Sequence, residues 1–200
     1  MPLLVIIIGI DPGLASCGWA VIERKNDGGL ICWDAGVIRT KKEKGYTYDD
    51  DLRRLKIITD EMVRLRDGPL AHMRDGIGRQ EWTYRTPSFI ACESMSWPRH
   101  TRAVQAIAFC WGVIGAVFNH ESLVQRRPQQ IKVDLTGSKS ATKADVERET
   151  CERVRTLEHH LDKLPKGQRD HAADAAAAVV SAWEDPMVKL AWKFSREKRD

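Results

Sequence analysis

Apolar residues run without a break from Leu3 to Ile10 and end at a carboxylate, Asp11, which Pro12 and Gly13 follow. A continuous run of Ile, Leu and Val is typical of a strand that is covered on both faces, which places it centrally in a sheet. The segments "CGWAVIE" and "GLICWDAGVIR" predict two more strands, and "KNDGG" between them predicts a hairpin turn. The first three strands therefore form an antiparallel meander, with Asp11 at the end of a central strand.

The later elements are strands and helices in alternation. "SFIACES" predicts a fourth strand that also ends at a carboxylate, Glu93, and "SLVQRR" predicts a fifth. Apolar stripes at helical spacing predict a surface helix over 50–65, a buried helix after Glu93 that Gly112 and Gly115 allow to pack closely, and a helix that starts at a capping box at Thr142. The three stripes are Leu52, Leu55, Ile58, Met62 and Leu65; Ala103, Ile107, Trp111, Ile114 and Phe118; and Val146, Thr150, Val154, Leu157 and Leu161.

The chain ends in an alanine-rich helix and a basic segment. "HAADAAAAVVSAW" predicts a helix whose small side chains bring its axis close to the element that it covers. Together the elements predict an α/β fold with a mixed sheet of five strands, an antiparallel meander plus parallel strands, flanked by helices. We expect one domain over 1–185 and a basic C-terminal tail over 186–200, which can form a short amphipathic helix. The stretch 66–87 has no periodicity and receives no predicted role.

Composition narrows the class of protein. The 200 residues are 42% hydrophobic, which is enough for one well-buried domain without metal or disulfide staples. A net charge of +4 and a pI near 8.8 permit a polyanionic partner. The five cysteines form no CxxC pair and predict a reducing, cytoplasmic location. The first apolar run is too short to span a bilayer and lacks a basic leader, so we expect neither export nor a membrane anchor.

Two carboxylates are predicted to meet at one edge of the sheet. A strand–helix–strand connection runs parallel, so Asp11 and Glu93 both leave the sheet at its carboxyl edge, where α/β folds place their sites. His171 and Asp174 are three residues apart and share one face of the last helix. Acids so close raise one another's pKa unless a cation neutralises them, and hard oxygen ligands suit Mg²⁺ or Mn²⁺. Two such ions can support the cleavage of a phosphodiester.

Four segments, "IGIDPGLASCGWAVIE", "IACES", "KVDLTGSKSATKADV" and "DHAADAAAA", resemble the RuvC family of Holliday junction resolvases, which have the RNase H-like fold. The resemblance covers the start of the chain and nearly everything over 88–183. It implies that the catalytic, metal-binding residues are Asp11, Glu93, His171 and Asp174. The family has Asp or His at the first helix position, and His171 would either bind a metal or take a proton from the attacking water.

The resemblance also implies a branched DNA substrate, above all a four-way junction, with Lys132 and Lys143 facing phosphates. The family often has an aromatic residue shortly after the glutamate that opens the junction. Here Trp97 stands one place late and Met95 is a substitute, so the sequence does not decide which residue opens the junction. The predicted DNA-binding residues are Lys132, Lys139, Lys143, Trp97, Arg99 and Arg102.

We expect a homodimer. A four-way junction has approximate two-fold symmetry and needs two symmetric nicks, whereas one chain supplies one carboxylate cluster. Two copies that share an isologous interface meet that need, as the resemblance also implies. We expect the interface at the apolar stripe of the helix after Glu93, with Trp97 and Met95.

Three other functions remain open at this point. A broader branched-DNA or flap nuclease would use the same metal chemistry. An actin-like ATPase or sugar kinase also begins with a strand, an Asp and a Gly-bearing turn, but it needs a second phosphate loop, and the only other candidate, at Asp27, lies in the predicted hairpin. A non-catalytic nucleic-acid-binding relative would have lost the acids, whereas all four positions here carry residues that can bind a metal.

Overall fold

A computed structural model describes residues 5–67, 88–94 and 101–197, which form six strands and seven helices. The strands are β1 (Ile6–Asp11), β2 (Ser16–Arg24), β3 (Leu30–Arg39), β4 (Phe89–Glu93), β5 (Ser122–Arg126) and β6 (Val154–Arg155). The helices are α1 (Thr47–Asp67), α2 (Thr101–Val117), α3 (Pro128–Thr136), α4 (Lys143–Arg153), α5 (Leu157–Leu161), α6 (Arg169–Ala182) and α7 (Pro186–Glu197). No helix within these ranges is long and apolar enough to cross a membrane.

The strands form one mixed sheet in the order β5-β4-β1-β2-β3-β6. Strand β2 runs antiparallel to both β1 and β3, which confirms the predicted meander. Strands β4 and β5 extend the sheet in parallel beside β1, which confirms the α/β class with a mixed sheet. The prediction of five strands was one short, because the two-residue strand β6 pairs with the start of β3.

Strand β6 interrupts what the sequence pattern predicted as one helix. The capping box at Thr142 does start α4, but the backbone of Thr156 has a φ of 67°, a left-handed conformation that breaks a right-handed helix. The apolar residues on both sides of the break face the core all the same. The apolar spacing therefore predicted correctly which residues are buried, but it did not reveal the break. The buried residues there are Val154, Leu157 and Leu161.

Helices cover both faces of the sheet. One layer contains α1 and α2, and alternate residues of β1 point into it: Ile6, Ile8 and Ile10. The other layer contains α3 to α7, and Gly9 of β1 lies against α6 there. Because side chains alternate along a strand, Asp11 also lies on the α6 side of the sheet. Glu93 does so too, since Ala91, two residues earlier in β4, belongs to the α6 layer.

Helix α6 lies very close to the sheet. Apart from Asp174, every residue over 172–182 is buried. A Cβ added to Gly9 would lie 2.7 Å from Cγ2 of Val179, and one added to Gly18 would lie 3.0 Å from Cβ of His171 and overlap the His171 carbonyl group. Glycine in two neighbouring strands and alanine on the helix therefore permit the close approach that the sequence predicted.

Helix α3 was not predicted. It begins at Pro128, where the missing backbone N–H leaves no helical hydrogen bond unmade, and Gly137 closes it with a φ of 75°. A helix of nine residues gives only a weak periodic signal, so the sequence pattern does not distinguish it from the proline and the loop that flank it. The helix matters for the site because it carries Lys132.

Helix α2 is only half buried. Its buried residues are Cys110, Ile114 and Val117, whereas Ile107 and Trp111 are partly exposed. Added Cβ atoms on Gly112 and Gly115 would meet no atom of the described residues within 4 Å. The prediction that these glycines allow close packing is therefore wrong for contacts inside the described chain.

Helix α7 lies within the predicted tail and packs on the α6 layer. Val188 and Trp192 are buried, and the Trp192 ring stands edge-on to that of Trp183 with centroids 6.4 Å apart. The guanidinium of Arg24 lies 5.3 and 5.4 Å from the two ring centroids, within the range of a cation–π contact. The opposite side of the helix is exposed and apolar, with Met187, Leu190 and Phe194.

Candidate active site

Asp11 and Glu93 lie side by side where β1 and β4 end. The register pairs Ile10 with Cys92, so the two acids follow at equivalent positions of adjacent parallel strands. Both face α6 because of the strand alternation described above. The sequence-based prediction that the two carboxylates leave the sheet at one edge is confirmed.

The first turn of α6 adds His171 and Asp174. Nδ1 of His171 lies 2.7 Å from Oδ2 of Asp11, at hydrogen-bond distance. Oδ2 of Asp174 accepts a hydrogen bond of 2.8 Å from Nζ of Lys143, the first residue of α4. The structure therefore brings together all four predicted site residues and one of the predicted phosphate-facing lysines.

Two acids of this cluster, Glu93 and Asp174, are hard to ionise. Burial, then the nearby charges of Asp174 and Asp11, raise the pKa of Glu93 to about 7, although the ammonium groups of Lys143 and Lys132 oppose the shift. Burial also raises the pKa of Asp174. The hydrogen bond to Asp11 is the main reason why the pKa of His171 is raised. A cation bound nearby would favour the ionised forms of Glu93 and Asp174.

The oxygen and nitrogen donors of this cluster suit a hard divalent cation, but their present positions do not enclose one. Among the described residues, no three His, Cys, Asp or Glu side chains converge closely enough to enclose a metal ion. The reason is visible in the pairing of charges, because Asp11 faces His171 and Asp174 is bound by Lys143. The raised pKa of Glu93 shows that burial and the two neighbouring acids outweigh the effect of the lysines near it. A cation would replace these internal partners.

The other predicted DNA-binding residues have different surroundings. Lys132 on α3 is close enough to act on the pKa of Glu93, and Lys139 is exposed in the turn before α4. Arg102 on α2 forms an ion pair with Asp51 of α1, so it has an intramolecular partner. Trp97, Arg99 and Met95 lie outside the described residues.

Sequence reasoning missed Gly9 and Gly18 as residues that shape the site. Gly9 interrupts a run of isoleucines in β1 and Gly18 lies inside β2, and a glycine inside a strand is a recognised signal for the close approach of another backbone. Gly18 pairs with Asp11 across β1 and β2, and it faces the carbonyl group of His171. It therefore sets the distance between the two elements that carry the paired Asp11 and His171.

Comparisons with known proteins agree with this geometry. The family model described as "Crossover junction endodeoxyribonuclease RuvC" matches residues 7–182. A protein of that name from Natranaerobius thermophilus is 28% identical over 177 residues, which cover 88% of this chain and 92% of the relative. One from a Mycobacterium species is 30% identical over 186 residues, 91% of this chain and 85% of the relative.

Solved structures show the same fold. Thermus thermophilus RuvC in complex with a Holliday junction substrate aligns with a TM-score of 0.68 at 19% identity, covering 92% of this chain and 96% of that chain. The yeast mitochondrial Holliday junction resolvase aligns with a TM-score of 0.59 at 10% identity, over 96% and 85% of the two chains. The family model spans most of the chain and includes all four clustered residues, and so the chain belongs to the RuvC family of crossover junction endodeoxyribonucleases.

Proposed function

We propose that this protein is a metal-dependent, structure-selective endonuclease that resolves four-way DNA junctions by paired symmetric nicks. The observation that carries the proposal is the convergence of Asp11, Glu93, His171 and Asp174 at the carboxyl edge of the sheet of a RuvC-family fold. A broader branched-DNA or flap nuclease would use the same cluster. The preferred DNA substrate and the oligomeric state distinguish these two functions.

The family consists of metal-dependent nucleases, and we propose Mg²⁺ or Mn²⁺ here, two ions per site. The ligands would be Asp11, Glu93 and Asp174, with His171 as a fourth. Ions bound there would activate the attacking water and stabilise the leaving oxygen. Support comes from the raised pKa of Glu93 and of Asp174, since two partly buried acids that resist ionisation need positive charge nearby.

His171 has two possible roles in this proposal. Its Nδ1 is turned toward Asp11, which fixes the orientation of the ring and leaves Nε2 to bind a metal or to accept a proton from water. When the ring is protonated, Asp11 stabilises its positive charge, as the raised pKa of His171 indicates.

Lys143 and Lys132 would face the phosphate of the strand to be cut. Lys143 binds Asp174 in the structure, so it can exchange a carboxylate for a phosphate oxygen once cations neutralise the acids. The Thr142–Asp145 capping box holds the backbone from which Lys143 extends. We include Lys139, exposed in the same turn, as a further phosphate contact.

We propose a homodimer whose interface includes the exposed side of α2. A stripe of small residues and one glutamine is exposed along this helix, beside the half-exposed Ile107 and Trp111: Gln105, Ala108, Gly112, Gly115 and Ala116. An apolar helix with one exposed face can bury that face against the same face of a second copy.

We also propose that the protein acts in the cytoplasm. Four free cysteines are buried in the core, which suits a reducing compartment.

A substrate panel tests the nuclease. The wild-type protein with Mg²⁺ should nick a labelled four-way junction at symmetric positions and cut duplex and RNA–DNA hybrid far less. Asp11→Asn should bind the junction but cut it slower by a factor on the order of a thousand or more. Asp60→Asn, an exposed acid on α1, is the matched control and should cut normally. Near-normal cutting by Asp11→Asn would refute the site.

Sedimentation of the protein, alone and on junction DNA, tests the dimer. Gly112→Arg adds a large charged side chain where nothing described lies within 4 Å, so the monomer should stay folded. The variant should sediment as a monomer and make unpaired nicks. A wild-type monomer on the junction that makes one nick would favour the flap nuclease instead.

A further inference from the structure

A basic segment follows β3 at the active edge of the sheet. Strand β3 runs parallel to β1, with β2 between them, so Arg39 at its end lies at the same edge as Asp11. The next residues, "TKKEKGYTY", lead into α1 and carry three lysines and two tyrosines. We call residues 39–48 the lysine loop. Every residue of the loop except Thr40 is exposed to solvent, and Thr40 is buried.

Thr40 ties the lysine loop to the turn that follows the first acid. Its backbone N–H donates to the carbonyl of Ala15 at 3.1 Å, and its hydroxyl donates to the carbonyl of Leu14. Nε of the buried Arg54 in turn donates to the Thr40 hydroxyl at 2.8 Å. The loop is thus fixed to the segment that carries Asp11, and its position relative to the acid cluster is set by the fold.

Further hydrogen bonds shape the loop backbone. Arg53 donates to the carbonyl of Lys41 at 2.6 Å, and Asp50 accepts from the backbone N–H of Glu43 at 3.1 Å. The N–H of Asp50 donates to the carbonyl of Tyr46 at 3.1 Å. A loop held in this way presents its side chains from fixed points, which lowers the ordering cost of binding a ligand.

The acids in and beside the loop are neutralised, whereas its cations are not. Glu43 forms an ion pair of 3.1 Å with Arg53, which also binds Asp50 at 2.7 Å. In the described part of the chain, no ion pair involves the four loop cations, Arg39, Lys41, Lys42 and Lys44. The exposed surface of the loop is therefore strongly positive although the chain as a whole is only mildly basic.

Two large aromatic side chains extend the same surface. Tyr46 is 83% exposed and Tyr48 is 65% exposed, so neither contributes much to the core. A phenol hydroxyl can donate to a phosphate oxygen, and an exposed ring offers apolar surface to a sugar. Cations interleaved with exposed aromatic residues are typical of a nucleic-acid contact.

We propose that the lysine loop binds the phosphate backbone of a DNA arm that flanks the cleavage site. This inference rests on the proposed nuclease function and adds a second contact region, at the end of β3, to that of Lys132 and Lys143. Two strand spacings separate β1 from β3, roughly 10 Å. In a DNA arm whose axis runs across the strands, successive phosphates of one strand rise about 3.4 Å along that axis, so the loop contacts phosphates about three or more nucleotides from the one that is cut.

Salt dependence of binding is the first test, measured with a four-way junction in EDTA so that no cutting occurs. The variant Lys41→Gln, Lys42→Gln, Lys44→Gln should lower the slope of log affinity against log salt by about two units or more. The charge-matched control changes three exposed, ion-paired cations away from this edge: Arg64→Gln, Arg155→Gln and Lys189→Gln. The control should keep the wild-type slope.

Neutral phosphates locate the contact. Methylphosphonates placed three to five nucleotides from the nick should weaken binding of the wild type and of the control, and should have little further effect on the lysine-loop variant. Tyr46→Ala, Tyr48→Ala should weaken binding several-fold with the slope retained. Circular dichroism and melting temperature confirm that each variant is folded.

The outcomes separate this inference from the proposed function. Failure of the wild type to bind or cut branched DNA refutes the proposed function itself. A wild type that binds and cuts, together with a lysine-loop variant whose slope and methylphosphonate sensitivity match the control, refutes only the lysine-loop contact and leaves these lysines as solvated surface charge.

Discussion

Gly18→Ala tests whether close packing of α6 on the sheet sets the active geometry. An added methyl group would overlap the carbonyl group of His171 and lie 3.0 Å from its Cβ, whereas ordinary Cβ contacts lie at 3.4–4 Å. The obstacle is helix backbone, which cannot rotate away as a side chain can. The first turn of α6 must therefore move from the sheet by about 1 Å, which costs about 1–3 kcal/mol in overpacking.

The same displacement should slow catalysis more than it lowers stability. It would lengthen the contact of 2.7 Å between His171 and Asp11 and move Asp174 away from Glu93. A misplacement of about 1 Å in a catalytic constellation can cost a factor of about 100 in rate. We therefore expect Gly18→Ala to cut a four-way junction about 100-fold slower in single turnover, at a temperature where it is fully folded, and to bind the junction in EDTA normally.

Gly36→Ala is the matched control. Its added Cβ would lie 2.8 Å from Cζ2 of Trp19, a side chain in the opposite layer, so it is crowded but does not touch α6. It should lower the melting temperature and leave the single-turnover rate unchanged. If Gly18→Ala cuts within threefold of the wild type while both variants lose similar stability, the packing of α6 does not set the geometry of the site.

Three further predictions concern stability and reactivity. Without metal, Glu93 with its pKa near 7 stabilises the fold only while protonated, and this contribution is complete below about pH 4.5 and lost as the pH rises through 7. Glu93→Gln should therefore be more stable than the wild type by up to about 3 kcal/mol in EDTA at pH 8, and equal to it at pH 4.5, by thermal melting. In a thiol titration, Cys151 alone should react before unfolding, because the other four cysteines are buried. Truncation after Asp185 should lower the melting temperature, since it removes the buried Val188 and Trp192.

The sequence was sufficient to predict the positions of the acids. Strand ends depend on local pattern, and they brought Asp11 and Glu93 to one edge of the sheet. The spacing of three residues placed His171 and Asp174 on one face of a helix. These inferences succeeded because each needs only the geometry of one element and one parallel connection.

Features that depend on a single backbone conformation or on contacts between distant segments could not be predicted. The helix break at Thr156 rests on one residue with positive φ, and the apolar periodicity continues across it. Helix α3 is too short for a strong period. The ion pair that occupies Arg102 requires knowledge of where Asp51 of α1 lies, which no local pattern contains.

The charges of the site explain why close packing of α6 is needed at all. Three carboxylates near one another repel, and in the structure His171 and Lys143 each bind one of them, while burial and the neighbouring acids make Glu93 costly to ionise. Repulsion of this kind favours separation of α6 from β1 and β4. The apolar contacts of the alanine face, made possible by glycine in the strands, oppose it and hold the acids close enough to share cations. The stability of the core thus keeps the site assembled before any metal binds.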